Sequence, residues 1–585
     1  MSSFFARVLR HRGLAILGVA GILATYVGVA PAHAAGVPFT QAAFSGSAIG
    51  SALHTDALNS GSTRVANADI SLASSAVNSK GLTAAATNEN GRTINPALGA
   101  NKFSYGRGAG VEVGLAADPG QDGQIILAGK SEGSAPPNHH DSKQVGPINA
   151  APVVYASAAQ GTSDALWNTE TCILGDDISR GIGYSADAQL VDTGSGSAPD
   201  LNVPLAAVDA PDGRRNVVQS LAHETLLPNS KGDFGLQSQV EQTLAPITLF
   251  RGSPNEVTFE IGGEWVLTTF ASGVPGESKV TYHPLKNDGT PADPDTEILR
   301  IIQGGSVTKI LSFQDLFGDT GLDQLNIPGV LEVAIGEDPR AIGGDASTKP
   351  SIAADGTSIS AAVDVLRIKL ADGALGDIRA GHMEAKATVP SGGVNCPIPV
   401  TKSTGGLVTI DQNSAPGGLF VTTITVKNAF ACPLENVSLT DDIHRKTGDL
   451  TFEIAETDSR NDPKKGAGAN FTRQSSTQST ASYPNLGTIP VGGSKVVNVV
   501  THVINGGGVI EDIATAKGDL HCGPNSAIGE AKFSINGSFT LARTATRVLA
   551  RTGGTEDLAL AMGAIALGAV AARRLVRSRG RNAVA

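Results

Sequence analysis

Short stretches of alternating apolar and polar residues dominate the middle of the chain. In EVTFEIG, Val257, Phe259 and Ile261 share one face, and the intervening residues face the other way. The same period of two recurs at residues 279–282, 366–370, 422–426 and 497–503. This period is typical of half-buried antiparallel strands, and hardly any segment of the body has the 3.6-residue period of a helix. The pattern predicts a mainly β protein.

Asn-Gly and Asp-Gly pairs recur along the chain between these stretches. Each is a candidate tight turn, because Asn, Asp and Gly tolerate positive φ. The pairs are Asn90-Gly91, Asp122-Gly123, Asp212-Gly213, Asp288-Gly289, Asp355-Gly356, Asp372-Gly373 and Asn536-Gly537. In FSINGSF, residues 533–539, apolar residues lie on both sides of the last pair. This segment predicts a β-hairpin that turns at Asn536-Gly537.

Composition divides the body into three regions. Residues 35–160 are rich in Ala, Ser, Gly and Asn, with weak strand signals, and EGSAPPNHHDSKQVGP at 132–147 predicts a loop or linker. Residues 161–395 have stronger strands; together with 35–160 they form one or two antiparallel β-domains. Residues 396–540 have the length, strand spacing and turns of an immunoglobulin-like β-sandwich.

The N-terminus has the three parts of a secretory signal. A basic stretch at residues 7–12 precedes an uncharged apolar stretch at 13–31, and Ala32 and Ala34 supply the small residues that signal peptidase requires before Ala35. The alternative is an N-terminal membrane helix, because the apolar stretch approaches the ~18 residues that one needs. We expect residues 1–34 to be removed and the body to be exported.

Charge argues against nucleic-acid binding. Without the signal and the residues after Thr552, Lys+Arg falls to 44 − 3 − 5 = 36 and Asp+Glu to 55 − 2 = 53, a net charge of −17. Such a surface repels phosphate backbones and anionic lipids. The 71 Gly, the 4% aromatic and the 17% charged residues suit short strands and many turns on an extracellular scaffold.

Four cysteines fit an oxidising compartment. Cys172, Cys396, Cys432 and Cys522 allow three pairings into two disulfides. We favour Cys432–Cys522, since both lie in one C-terminal β-rich segment, which leaves Cys172–Cys396; the alternative is buried reduced thiols. No CxxC or Cys/His spacing suggests zinc.

Histidine motifs do not build a persuasive active site. His223-Glu224 begins a zinc-helix motif, but Leu227 occupies the place of the second His. His139-His140-Asp141 could ligate a metal, yet we interpret it as part of a solvated loop. The glycine run GRGAGVEVG at 106–114 mimics a nucleotide-binding motif but leads into a strand-like segment, and no GxSxG elbow occurs.

Acidic loops offer oxygen ligands, and structural calcium is one interpretation of them. The first candidates are Asp118, Asp122, Asp288, Asp293, Asp295 and Glu297, without EF-hand spacing. A second set, Glu337, Asp338, Arg340 and Asp345, could supply a glycosidase-like carboxylate pair. We interpret the first set as hydrated turns and the second as salt-bridged turn chemistry. The sequence therefore predicts no catalytic residue, no cofactor and no enzyme.

Two resemblances inform location. TITVKN at 423–428, NVSLTD at 436–441 and IPVGGS at 489–494 resemble a repeat domain common on bacterial surfaces, which implies a stalk or spacer. The body is similar to actinobacterial choice-of-anchor surface proteins, whose C-terminal attachment device varies. That likeness rests on segments beginning FSGSAIG, ALWNTET, LFRGSPN and AIGEDPR, at residues 44–58, 165–191, 249–267 and 334–358. It implies no known activity.

The C-terminal end combines an apolar run and a basic tail. Residues 558–572 are uncharged, and Arg573, Arg574, Arg577, Arg579 and Arg581 follow. A buried core helix would show a polar face, which this run lacks. Fifteen helical residues span roughly 22 Å, short of the ~30 Å hydrocarbon core, although a membrane anchor with its arginines inside stays an alternative.

The pentapeptide before that run is Leu549, Ala550, Arg551, Thr552 and Gly553. Pentapeptide, apolar segment and basic tail together, at residues 541–585, resemble a sortase cell-wall sorting signal in its Leu-Ala-x-Thr-Gly form, which a class of actinobacterial sortases reads. LART also occurs at 541–544, without Gly.

The resemblance implies that signal peptidase and sortase process the chain, and that Thr552 becomes joined to peptidoglycan. We expect a secreted display protein on the cell wall of a Gram-positive cell, with 558–572 as transient membrane retention and an unidentified extracellular ligand. The alternatives are an unprocessed tail-anchored protein, or an exported hydrolase or glycan-binding adhesin carried by residues 161–395.

Overall fold

The computed structural model describes most of the chain between residues 36 and 545. The described ranges are 36–60, 63–82, 101–114, 124–150, 154–169, 171–186, 189–190, 206–208, 217–249, 256–261, 264–285, 293, 297–303, 305–312, 324–327, 331–335, 350–370, 376–409, 418–455, 470–524, 526 and 530–545. The signal region, the sorting motif and the apolar run therefore lie outside the described residues.

Every regular element in these ranges is a β-strand, which confirms the mainly β prediction. The first thirteen are β1 Val37–Pro38, β2 Ser45–Ser60, β3 Thr63–Asn78, β4 Ser104–Gly114, β5 Gln124–Ala128, β6 Ser131–Ala135, β7 His139–Val145, β8 Ile148–Ala150, β9 Val154–Ala156, β10 Ala158–Ala165, β11 Ser179–Ala186, β12 Gln189–Leu190 and β13 Ala206–Val208. The next fifteen are β14 Val217–Pro228, β15 Phe234–Thr243, β16 Ile247–Leu249, β17 Val257–Ile261, β18 Glu264–Ala271, β19 Lys279–Leu285, β20 Glu297–Gln303, β21 Ser306–Ser312, β22 Gln324–Ile327, β23 Leu331–Ile335, β24 Ser351–Ile352, β25 Ser358–Val363, β26 Leu366–Leu370, β27 Gly376–Thr388 and β28 Val394–Asn395. The last nine are β29 Val400–Thr409, β30 Gly418–Lys427, β31 Leu434–Gly448, β32 Thr451–Ile454, β33 Asn470–Ser475, β34 Gln478–Ile489, β35 Ser494–Asn505, β36 Gly508–Cys522 and β37 Ala531–Ala545.

Three sheets contain all the strands from β1 to β28, and we call this part of the chain, up to residue 395, the body. The nine-stranded sheet runs β1-β28-β15-β14-β11-β10-β7, with β18 paired to β15 and β19 to β18. The eleven-stranded sheet runs β22-β23-β26-β27-β2-β3-β4-β5, with β25 on β27, β24 on β25 and β6 on β4. The eight-stranded sheet runs β21-β20-β17-β16-β13-β12-β9-β8. Strands from residues 35–160 and 161–395 share all three sheets.

Glycines bring the nine- and eleven-stranded sheets into backbone contact. A Cβ on Gly108 of β4 would lie 1.9 Å from the carbonyl oxygen of Ile182 on β11, and one on Gly161 of β10 would lie 2.1 Å from the carbonyl oxygen of Gly108. Only a residue without a Cβ permits this approach. The glycine run at 106–114 is thus part of β4, where its glycines serve sheet packing.

Two further sheets lie C-terminal to the body. The four-stranded sheet runs β29-β30-β35-β32 and the five-stranded sheet runs β33-β34-β31-β36-β37, all antiparallel. Their inward residues alternate along each strand, as the period of two predicts: Ile424 and Val499 are buried on the first sheet, and Leu439 and Ile510 on the second. These residues belong to one apolar core that both sheets enclose.

Both disulfides lie where the body meets the C-terminal sheets. Cys172–Cys396 and Cys432–Cys522 are formed, with Cα–Cα distances of 5.5 and 5.0 Å, in the pairing favoured from sequence. Gly175, at φ +84°, contacts the second bond: a Cβ there would lie 2.2 Å from the Cys432 Sγ. The same apolar core includes all four cysteines, so it continues across the junction.

The hairpin predicted at Asn536-Gly537 is wrong. Both residues lie within β37, paired with Lys517 and Ala516 of β36, and the strand runs on without a turn. A Cβ on Gly537 would lie 1.9 Å from the carbonyl oxygen of Ile398, whose amide donates to the Asn536 carbonyl at 2.8 Å. The glycine therefore admits a crossing backbone segment, and this tertiary contact overrides the local turn preference.

Other turn predictions have mixed outcomes. Asp355-Gly356 joins β24 to β25, with Gly356 at φ +74°, as expected. The loop predicted at 132–147 is wrong for most of its length, because β6 and β7 occupy it around the Pro136-Pro137 turn. The remaining Asn-Gly and Asp-Gly pairs, at 90–91, 122–123, 212–213, 288–289 and 372–373, lie outside the described residues. Across the described ranges, no helix has the length and hydropathy needed to span a membrane.

Candidate functional site

Four charged side chains meet inside the C-terminal sheets, and we call them the Lys402 cluster: Lys402, Asp441, Asp512 and Arg543. The side chains of Lys402 and both aspartates are 0% exposed, and that of Arg543 is 3% exposed. Charged residues are almost never fully buried unless they are paired. The cluster is therefore the strongest chemical feature of this region.

Strand register explains how these residues meet. Lys402 projects from β29 of the four-stranded sheet. Asp441 on β31 pairs with Ala514 and Asp512 on β36 pairs with Ile443, so the two aspartates are diagonal neighbours on the inward face. Diagonal neighbours on one face of a sheet are close enough for side-chain contact.

The ammonium group of Lys402 bridges the two carboxyls. Its Nζ contacts the Oδ1 atoms of both Asp441 and Asp512. The Arg543 Nη2 lies 2.8 Å from Asp512 Oδ2, and the Arg543 guanidinium lies 5.0 Å from the centre of the Phe420 ring. Asp512 thus faces two cations, while Asp441 faces one.

Burial shifts the pKa values of Asp441 and Arg543 in opposite directions. Desolvation, followed by the nearby charge of Asp512, raises the pKa of Asp441 well above its ordinary value. Desolvation also lowers the pKa of Arg543. This shift favours the neutral acid form of Asp441, and its Oδ2 has no hydrogen-bond partner among the described residues. The site places the Lys402 amine against two carboxyl groups, away from solvent.

The His223-Glu224 motif lies on strand β14, between the large sheets of the body. His223 Nδ1 lies 2.7 Å from Asp177 Oδ1. Glu224 is fully buried, with Ser75 and Ser238 donating hydrogen bonds to its carboxyl, and burial raises its pKa well above the ordinary value. Both side chains have hydrogen-bond partners within the sheet packing, which favours a structural role.

Two similar pairs recur in the eleven-stranded sheet. His54 Nδ1 lies 2.7 Å from Asp69 Oδ1, and His382 Nδ1 lies 2.6 Å from Asp364 Oδ1, each pair buried. Ser51 also donates to Asp69, at 3.0 Å. Each contact gives buried polar atoms a partner, because a buried polar group without one destabilises the fold.

The His139-His140-Asp141 segment is part of the edge strand β7, which corrects its interpretation as a loop. His139 and Asp141 both contact a pair of hydrogen-bonded hydroxyls, those of Ser131 and Ser163, whereas His140 does not. His139 Nε2 lies 3.1 Å from Ser163 Oγ, Asp141 accepts from Ser131 at 3.0 Å, and His140 instead contacts Asp164. Across the described ranges, no group of three or more His, Cys, Asp or Glu side chains has the geometry of a metal site.

The other sequence-predicted residues are placed as follows. Glu297 begins β20 and forms an ion pair with Arg300, and Asp293 is exposed. The following residues lie outside the described residues: Asp118, Asp122, Asp288, Asp295, Glu337, Asp338, Arg340, Asp345, Ala32, Ala34, Ala35, Leu549, Ala550, Arg551, Thr552 and Gly553.

The Lys402 cluster was missed from sequence, although a signal exists. Asp441 and Asp512 each occupy an inward position of a strand whose other inward positions are apolar, and Lys402 lies two residues after the buried Val400. Charges at such positions on three strands of the C-terminal sheets are a recognisable pattern. Their contact cannot be read from sequence, because Lys402 and Asp512 are 110 residues apart in the chain.

Comparisons with known proteins leave the family open. No family model and no curated protein matches the chain. One solved structure, Escherichia coli alpha-2-macroglobulin activated by porcine elastase, aligns at 11% identity over 86% of this chain. The alignment spans 41% of that protein, with a TM-score of 0.13, which carries no argument about fold or function.

Proposed function

We propose that the chain is an exported surface protein that sortase attaches to peptidoglycan through Thr552. The observation that carries the proposal is the order of three parts: Leu549–Gly553, the uncharged run 558–572, and five arginines. The motif begins four residues after Ala545, the last residue of β37. A folded domain followed directly by a short peptide is what a processing enzyme needs to reach its cleavage site.

Two copies of LART compete for that role, and their settings differ. Residues 541–544 are within β37, where Leu541 pairs with Asp512 and Thr544 with Val509. Arg543 of this copy is buried in the Lys402 cluster. A segment fixed in a sheet cannot enter the groove of another enzyme, so we assign processing to residues 549–553.

The chemistry assigns one role to each part. The sortase cysteine attacks the carbonyl carbon of Thr552, a thioester forms, and the chain from Gly553 onward leaves as an amine. An amino group of the cell-wall peptide then displaces the cysteine. Gly553 has no Cβ, which allows its backbone to lie close to the enzyme.

The β architecture supports a display role for the rest of the chain. We interpret residues 396–540 as an immunoglobulin-like sandwich that acts as a stalk, with the body displayed beyond it. Cys172–Cys396 and Cys432–Cys522 reinforce the junction between the two. Disulfides persist in oxidising compartments, which agrees with an exterior location.

The test compares two threonine variants in the producing cell. Thr552→Ala removes the proposed acyl donor, and we expect the protein to leave the fraction that is released only by digestion of peptidoglycan. Thr544→Ala changes the other LART copy and should leave the wall fraction unchanged. If Thr552→Ala stays bound to the wall at the wild-type level, the proposal is wrong.

A further inference from the structure

We propose that the Lys402 cluster forms an intramolecular amide bond between the Lys402 amine and one of the two carboxyls that flank it. The three groups are fully buried and in mutual contact, and they come from both C-terminal sheets. No described feature of the fold gives them a ligand to bind. The inference does not depend on attachment to the cell wall.

Several polar atoms of the Lys402 cluster lack hydrogen-bond partners. Asp441 Oδ2 has no hydrogen-bond partner among the described residues, and the Nε, Nη1 and Nη2 atoms of Arg543 lack partners with hydrogen-bond geometry. Buried charges repay their desolvation only when the geometry is excellent and the remaining polar atoms are satisfied. An amide removes the charges of Lys402 and of one carboxyl from the core.

The ionisation of the site matches what amide formation needs. A carboxyl group loses its hydroxyl only from the neutral acid, and burial raises the pKa of Asp441, which favours that form. Asp512 is the carboxyl that contacts both basic side chains, Lys402 and Arg543. We therefore assign Asp441 as the acyl donor and Asp512 as the proton acceptor.

The reaction balances without a cofactor. Asp512 takes one proton from the Lys402 ammonium, and the lone pair of the free amine attacks Cγ of Asp441. The Nζ–Cγ bond forms, and the bond from Cγ to the acid hydroxyl breaks. That hydroxyl leaves as water with a second proton from the amine, relayed by the Asp512 carboxyl. The products are a neutral amide, a neutral Asp512 and one water molecule.

The fold supplies the reactivity that free side chains lack. Strands β29, β31 and β36 hold the amine and the carboxyls in contact, which replaces an encounter between free groups with a positioned one. The absence of solvent at the buried side chains also disfavours hydrolysis of the product.

The bond would join facing sheets of the C-terminal region. It links β29 to β31 or β36 in the five-stranded sheet. Among the described strand pairings, β29 is hydrogen-bonded only to β30, which belongs to its own sheet. Cys432–Cys522 lies in the same region. A pull between the body and the C-terminus would then act across covalent links as well as hydrogen bonds.

The first test is the intact mass of the purified wild-type chain after reduction of both disulfides. We expect the mass to be lower than that of the sequence by one water molecule. A proteolytic digest should contain a branched peptide that joins the Lys402 segment to the Asp441 segment. A branch at Asp512 also establishes the amide, with the two carboxyl roles exchanged. A full sequence mass and separate linear peptides would overturn the proposal.

Lysine variants identify the nucleophile. Lys402→Arg keeps the positive charge but removes the amine, so its mass should equal that of its sequence. Lys446→Arg, at a lysine that is 54% exposed and paired with Glu511, should retain the loss of water. Retention of the loss in Lys402→Arg would contradict the assignment. If that variant does not fold, the wild-type mass alone still decides the proposal.

Discussion

Glu224 provides a pH test of the body, because its carboxyl is fully buried between sheets. Its Oε1 accepts from Ser75 at 3.3 Å, its Oε2 accepts from Ser238, and a Cβ on Gly46 would lie 2.4 Å from Oε2. Burial raises its pKa well above the ordinary value of 4.5, despite the two hydroxyl donors. The folded state therefore binds a proton that the unfolded chain releases as pH rises.

The sign and size of the effect follow from linkage. Well below pH 4.5 both states hold the proton, and Glu224 brings no pH dependence. Above that value the wild type loses about 1.4 kcal/mol of unfolding free energy per pH unit from this group, until the folded pKa is reached. Glu224→Gln cannot ionise, so its stability relative to wild type should rise with pH above 4.5, by at most about 1.4 kcal/mol per pH unit.

Denaturant unfolding from pH 4 to pH 7.5 measures this difference, with the fluorescence of the buried Trp265 reporting on the body. Glu132→Gln is the matched control. Burial alone would raise the pKa of Glu132, but the interactions with Lys130, Tyr105 and Arg107 together outweigh it and lower that pKa. That variant should lose stability relative to wild type as pH rises through the ordinary glutamate range. A difference for Glu224→Gln that stays constant with pH would refute the reasoning.

Two further stability predictions follow from the packing. Gly108→Ala places a Cβ 1.9 Å from the Ile182 oxygen, closer than real contacts by 3.0 − 1.9 = 1.1 Å, so unfolding by denaturant should show a loss of about 3 kcal/mol. Gly146→Ala, with no atom within 4 Å of the new Cβ, should change stability by less than about 0.5 kcal/mol, and equal losses in the two variants would contradict the packing argument. Replacing Cys432 and Cys522 together by Ser opens a loop of 90 residues and should cost roughly 4–5 kcal/mol by the chain-entropy relation, whereas a loss below about 1 kcal/mol would argue against that bond.

The strands could be predicted because their signal is local. Val257, Phe259 and Ile261 alternate with partly exposed or polar residues, and all three are buried in β17. The same reasoning placed Ile424 and Val426 on the inward face of β30. A period of two reports directly on which side of a sheet a residue occupies.

The errors arose where a distant segment decides the conformation. Asn536-Gly537 has the composition of a turn, yet Gly537 is needed where the backbone of Ile398 crosses β37. Local sequence does not contain that crossing. The segment at 132–147 is similar: its Pro and Gly content indicated a loop, but β7 pairs with β10 to extend the nine-stranded sheet.

The candidate site was out of reach for the same reason. Lys402, Asp441 and Asp512 are individually ordinary charges in strand-forming segments. They come into contact only because β31 pairs with β36 and because the four-stranded sheet packs against the five-stranded sheet. Sequence pattern finds which side chains point inward, whereas register and sheet packing determine which of them meet.

The most direct test of the central claim is the intact mass of the protein released from cell walls by a peptidoglycan hydrolase. Attachment through Thr552 predicts a chain that begins near Ala35, ends at Thr552 and carries a fragment of peptidoglycan. A chain that retains Ala585 and is extracted by detergent alone would contradict the account.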